Sequence, residues 1–210
     1  MGDLFNPEKG LWRWLGTLVD VCGLSLLWTA LCLPVVTIGP ATAALYLAVV
    51  KCVRKREGGA FKTYLRSFRE NLRVGIPATL IALVAVALVV NGYLIMASSQ
   101  RSNMAFIMLA AYYVFMLVPL GITCYLFPLL GRFTFGVRGL FRTAFQLSMR
   151  HLPSTVVVVL LTVQMVSVTI RYWVPVLFTP AVTILLVSLF FERIFVRYAP
   201  ELAEEAPGEE

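Results

Sequence analysis

The stretch Leu33-Pro34-Val35-Val36-Thr37-Ile38-Gly39-Pro40 decides how the first part of this chain folds. It interrupts an apolar run over residues 14–50, in which Asp20 is the only charged residue. The run is too long for one straight span, because a bilayer core of about 30 Å takes about 20 helical residues. Proline donates no helical hydrogen bond and glycine permits a sharp turn. We therefore predict a helix over about residues 11–33, a tight turn, and a second helix over about residues 40–56.

The turn motif consists of Pro34, Thr37, Gly39 and Pro40. Pro40 is predicted in the first turn of the second helix, where a missing N–H costs little. The apolar part of that helix is short, and Lys51 and Arg54 are expected to complete the span by extending toward the interface.

The amino-acid composition and four further uncharged segments indicate a membrane protein. Apolar residues make up 60% of the 210-residue chain and charged residues 14%, whereas soluble domains have about 45–50% and about 25%. A soluble globular domain is thereby excluded. Four more segments carry no charge and are each long enough to span a bilayer: residues 74–97, 104–131, 152–170 and 172–191. The predicted fold is an all-α polytopic membrane helical bundle with six spans, in one transmembrane domain over residues 1–198.

The distribution of charge orients the bundle. With six spans and a cytoplasmic N-terminus, 16 of the 18 Lys and Arg residues lie inside, which fits the positive-inside rule. A five-span arrangement, with the 40–56 helix lying in the interface and the N-terminus outside, leaves 14 inside and stays open. Six of the 11 acidic residues lie from Glu192 to Glu210. We assign them to the C-terminal end, with residues 199–210 as a disordered acidic cytoplasmic tail.

Two basic amphipathic segments are predicted as cytoplasmic elbow helices. In the first, Phe61, Leu65, Phe68 and Leu72 share one helical stripe. The cations that we single out in the two segments are Lys62, Arg66, Arg69, Arg73, Arg142 and Arg150. The elbows would dock a cytoplasmic partner or anchor the chain on anionic lipid, and the sequence leaves both interpretations open.

Asp20 is the one acid expected inside the hydrocarbon. A carboxylate there is costly unless it is paired or protonated, so it is a candidate for transport or proton relay. The structural alternative is that it faces water, caps a neighbouring backbone or pairs with an arginine on the cytoplasmic side.

Motifs for catalysis and metal binding are absent from the sequence. It contains no GxxxxGK[ST], HExxH or GxSxG motif, its four cysteines form no CxxC pair, and it has one histidine. We expect no enzyme activity, cofactor, metal or nucleic-acid partner.

A family resemblance rests on Phe5-Asn6-Pro7, Leu27-Trp28, the stretch from Leu33 to Tyr46 and the basic residues 61–73. These residues resemble the YesL-like family, bacterial membrane proteins of unknown function often encoded beside carbohydrate ABC importers. The resemblance implies a plasma-membrane accessory role in saccharide uptake, with permease subunits as partners, and it carries over no active site. Both termini are expected in the cytoplasm, and a homo-oligomer is an open alternative. The second functional hypothesis is a small transporter or channel that acts on its own, with the Pro34–Pro40 segment facing the substrate.

Overall fold

The computed structural model describes residues 7–54, 59–98, 103–172 and 178–205, and within these ranges all of its regular secondary structure is helical. The seven α-helices are α1 (Pro7–Leu31), α2 (Ile38–Ala48), α3 (Ala60–Ser98), α4 (Asn103–Arg132), α5 (Val137–Arg150), α6 (Leu152–Tyr172) and α7 (Thr179–Glu205). A short 3₁₀ helix, Val35–Thr37, precedes α2, and a π-helical segment, Val49–Arg54, follows it. The all-α prediction is confirmed.

Helix α2 is the centre of the bundle and is buried on almost every side. Its Pro40 lies against Gly75 of α3, and its Ala43 carbonyl lies against Gly131 of α4. Its Tyr46 ring packs against α7, 6.4 Å between centroids from Phe191. Alanines make up much of α2, which lets the neighbouring helices approach closely.

The prediction that the first elbow is a separate helix is wrong. Residues 61–73 form the beginning of α3, which continues without a break through Pro77 to Ser98. At 1.5 Å per residue its 39 residues extend about 58 Å. Proline costs the helix one hydrogen bond. The burial of Gly75, Ala78 and Thr79 on either side of it offsets this cost.

The second basic segment does form a helix of its own. Helix α5 ends at Arg150, and His151 breaks the α-helical geometry with φ −122° and ψ 48° before α6 begins. The buried face of α5 carries Leu140, Ala144 and Leu147. This face packs on α4, while Arg142 and Arg150 are exposed. Whether α5 lies at a cytoplasmic interface stays a prediction.

Within the described ranges, four helical segments are long and apolar enough to span a bilayer. They are Val35–Cys52, Ala60–Ile95, Ala111–Arg132 and Leu152–Thr169. Two shorter apolar helices, Gly16–Leu31 and Thr179–Glu192, accompany them. The predicted run over residues 172–191 is therefore split, because α6 includes Tyr172 and α7 begins at Thr179. The intervening residues 173–177 lie outside the described part of the chain. The count of six spans stays a prediction.

The outer surface has the character expected of lipid contact. The C-terminal half of α3 and the N-terminal half of α4 expose large apolar side chains, with Leu88 69% and Val114 73% accessible. Soluble monomers rarely expose apolar surface as continuous as this. Lipid is the solvent that such a surface requires.

The predicted tail is in part helical. Helix α7 extends to Glu205 and so includes residues 199–205 of the predicted tail, and residues 206–210 lie outside the described ranges. Alanine, leucine and glutamate, which dominate this segment, are strong helix formers.

Candidate functional site

The Pro34 turn is held by Thr37. The backbone of Pro34 is extended, with φ −77° and ψ 112°. The Thr37 hydroxyl lies 2.6 Å from the carbonyl oxygens of both Leu31 and Pro34 and shares its one proton between them. Leu31 is the last residue of α1, whose terminal carbonyls lack helical partners. Thr37 thus connects the end of α1 to the turn.

Gly39 has a different role from the one predicted. It lies inside α2 and not at the turn, so it does not supply a sharp bend. A Cβ at this position would overlap the Thr79 hydroxyl and would lie 2.7 Å from Cε1 of Phe127. Gly39 is therefore the point at which α2 closely approaches both α3 and α4.

The basic residues lie on an exposed face of α3. Lys62, Arg66, Arg69 and Arg73 are all exposed and recur at helical spacing. Arg66 pairs with Glu70 one turn away, 2.8 Å from Nε to Oε1. We call Lys62, Arg66, Arg69 and Arg73 together the basic face of α3.

The apolar stripe predicted beside the basic face enters the core only in part, because Phe68 packs against the core cluster around Tyr64, whereas half of the stripe is exposed. Phe61 and Leu65 are 42% and 40% exposed, whereas Ala60, Tyr64 and Ser67 form the buried face. The first part of α3 therefore has three faces: buried, exposed apolar and basic.

Asp20 is in no ion pair with the charged groups whose side chains the structure describes. It is half-buried on α1. The ion pairs found between described residues, Arg66–Glu70 and Arg132–Glu192, do not include it. The structure does not bring Asp20 together with the turn motif or the basic face into one site.

The buried acid of the bundle is Glu192. Its side chain is 9% exposed, and Oε1 accepts hydrogen bonds from Arg132 Nη1 and from the Tyr46 hydroxyl, the latter at 3.2 Å. Three helices meet here, because Tyr46 belongs to α2, Arg132 to α4 and Glu192 to α7. Arg132 lies in the last turn of α4, where a cation also complements the helix dipole. We call Tyr46, Arg132 and Glu192 the buried polar triad.

Aromatic rings surround the triad. Tyr125 packs on Phe191 at 4.6 Å between centroids, and Phe191 stacks on Phe195 at 5.7 Å. Phe195 also meets Tyr46 edge-on at 6.3 Å. Tyr46 therefore connects the ion pair to a cluster of buried aromatic rings.

Sequence reasoning missed this triad. Glu192 was assigned to the acidic C-terminal end, whereas it lies in the core. The available signal was its position between Phe191 and Ile194, both buried, within a helical run of apolar residues. An acid at such a position requires a partner from another helix.

A cavity of about 450 Å³ lies on the other side of Tyr46. Its walls come from α1, α2, α3, α4, α6 and α7, and none of the described residues that line it is charged. Apart from threonines, the walls are mostly aliphatic. Tyr46 is shared by the cavity and the triad.

Among the described residues, no cluster of three or more His, Cys, Asp or Glu side chains could hold a metal ion.

Residues 21–93 match the family model described as "Protein of unknown function, DUF624". The matched segment runs from α1 through the turn and α2 into the C-terminal half of α3, about a third of the chain. No curated protein matches the chain, and no solved structure matches it. The expected resemblance to a family of uncharacterised proteins is confirmed; its YesL-like and bacterial specifics stay expectations.

Proposed function

We propose that this chain is a non-enzymatic accessory protein of a carbohydrate ABC importer in the bacterial plasma membrane, with both termini in the cytoplasm. It would contact an acidic surface of a permease subunit through the basic face of α3. The observation that carries the proposal is the exposure of Lys62, Arg66, Arg69 and Arg73 on one side of the helix. The family resemblance supports the choice of partner.

The character of the cavity favours an accessory role over sugar transport by this chain. A saccharide carries many hydroxyl groups, and each one buried without a hydrogen bond costs a few kcal/mol. The described lining offers no charged group and is mostly aliphatic. We therefore assign sugar recognition to the partner.

Co-purification from membranes of the native host tests the proposal. The wild-type chain is expected to capture permease subunits, and the variant Arg69→Glu/Arg73→Glu is expected to capture far less. Capture should also weaken as salt rises, because exposed charges are screened. The matched control, Arg138→Glu/Arg142→Glu, reverses two exposed cations on α5 and should retain the partner. Recovery of lipid alone by the wild-type chain, or equal capture by both variants, would contradict the proposal.

A second candidate, a small transporter or channel, is favoured by the position of the buried polar triad beside the cavity. Buried ion pairs within membrane bundles often belong to ion or proton pathways. Flux of ions and sugars into proteoliposomes tests it, with Glu192→Gln expected to abolish flux and the surface change Glu70→Gln expected to preserve it. Absence of flux across the panel would remove this candidate.

A further inference from the structure

We infer that the cavity is a binding site for a single hydrocarbon chain of a lipid or fatty acid, which enters from the bilayer between α3 and α6. The inference goes beyond the proposed function and does not depend on the importer. It rests on the chemistry of the cavity wall, on the location of the opening and on the surface around that opening.

The polar groups of the wall are already used by the protein itself. Seven threonines line the cavity, and the hydroxyls of six of them donate to a carbonyl of their own helix at 2.6–2.8 Å. These six are Thr42, Thr79, Thr123, Thr162, Thr169 and Thr183. Threonine commonly bonds back to the preceding helical turn in this way. Because a hydroxyl has one proton, these groups keep no donor for a polar ligand.

One further donor is used in the same manner. The indole N–H of Trp28 donates to the Thr42 hydroxyl at 3.2 Å. A polar or ionic occupant would leave its own acceptors unsatisfied in this wall, at a cost of a few kcal/mol for each group. An apolar occupant meets no such cost.

The cavity opens onto the lipid-type surface. Val166 of α6 lines the cavity and is also 52% exposed, so the cavity reaches the surface of the bundle at this residue. On α3, Val84 is also 61% exposed. An occupant that enters here comes from hydrocarbon and not from water.

The volume of the cavity fits a hydrocarbon chain of moderate size. About 450 Å³ falls within the range of about 300–1,000 Å³ typical of small-molecule sites. Water fills an apolar space of this kind poorly, because it finds too few polar partners there. The hydrocarbon chains around the protein are the available occupant.

Quenching of Trp28 fluorescence tests the inference. The other three tryptophans are replaced by Phe, and the protein is reconstituted in vesicles of phosphatidylcholine brominated on its acyl chains. In a parallel arm, unbrominated vesicles receive a small fraction of brominated free fatty acid. The comparison is between Val166→Phe, which narrows the opening, and Val163→Phe, which adds the same volume on the same helix away from the cavity.

If a hydrocarbon chain occupies the cavity, quenching of Trp28 fluorescence should fall about two-fold or more in Val166→Phe, because the added ring fills the space at the opening. Quenching should be unchanged in Val163→Phe. An effect with the brominated phospholipid identifies a bilayer lipid as the occupant, and an effect with the fatty acid alone identifies a free single chain. Equal quenching of both variants in both arms would overturn the inference.

If Val166→Phe does not fold, a second pair of variants tests the same inference. Leu83→Phe enlarges a lining residue on α3, and Leu80→Phe enlarges an exposed residue one turn away that does not line the cavity. The same contrast in quenching is expected. Equal quenching of this pair would likewise overturn the inference.

Discussion

Glu192 of α7 and Arg132 of α4 form an ion pair across 60 positions of sequence, and Tyr46 of α2 donates to the same carboxylate oxygen. This contact is polar, whereas most contacts between these helices are apolar. Tyr46 also packs against Phe191 and Phe195, so the contact adjoins the aromatic cluster. The ion pair contributes to the free energy of unfolding because it is shielded from water: the Arg132 side chain is only 25% exposed.

Removal of the carboxylate is expected to destabilise the bundle. Glu192→Ala would remove the carboxylate that pairs with the Arg132 charge, and breaking a buried pair costs about 3–5 kcal/mol. The midpoint of unfolding by denaturant in mild detergent measures the loss.

The control is the exposed pair on α3. Glu70→Ala breaks an ion pair whose side chains are 80% and 58% exposed, so little change is expected. A double-mutant cycle with Arg132→Met should show coupling for the buried pair. Additive effects of Glu192→Ala and Arg132→Met would contradict a coupled pair.

The close approach of α2 to α3 and α4 predicts a strict limit on side-chain size at Gly39. Gly39→Ala is expected to cost about 1–3 kcal/mol, because overpacking a tight contact displaces the backbone. Gly16→Ala is the matched control, since a Cβ there meets nothing within 4 Å. It should be neutral or slightly stabilising, because alanine favours helix over glycine. Equal melting temperatures for the two variants would show that Gly39 tolerates a side chain.

Sequence patterns predicted correctly those structural features that a single residue determines in its own neighbourhood. Pro34 and Gly39 predicted a turn, and the structure ends α1 at Leu31 and begins α2 at Ile38, although Gly39 itself lies in α2. Pro40 was expected in the first turn of the second helix, and it is the third residue of α2. Each of these features depends on backbone chemistry within a few residues.

Features that depend on contact between distant segments were not accessible from the sequence. The continuity of α3 through Pro77 depends on packing of Gly75 and Thr79 against α2. The role of Glu192 depends on Arg132, which no local pattern associates with it. Hydropathy reports how apolar a helix is, and it does not report which helix lies beside it.

Cys32 is predicted to react slowly with thiol reagents at neutral pH. It is the first residue after α1, and burial raises the pKa of its thiol to about 12. Because the thiolate is the reactive form, a pKa three units above the ordinary 9.0 reduces the rate roughly 10³-fold near pH 7. The rate should rise about ten-fold for each pH unit up to the pKa. Maleimide labelling of a single-cysteine protein between pH 7 and 9 measures this, and a plateau above pH 8.5 would contradict it.

The orientation of the α1–α2 turn distinguishes six spans from five. Leu33 is 81% exposed, so Leu33→Cys in a cysteine-free background offers a reactive probe beside the shielded Cys32. With six spans the turn lies outside, and an impermeant maleimide should label intact cells. With five spans, α1 begins outside and the turn lies inside, so labelling should require permeabilised cells. Thr134→Cys, an exposed position between α4 and α5, should label only after permeabilisation in both cases and reports the integrity of the membrane. Labelling of Leu33→Cys only after permeabilisation would reject the six-span arrangement, and it would place the N-terminal cations Lys9 and Arg13 outside.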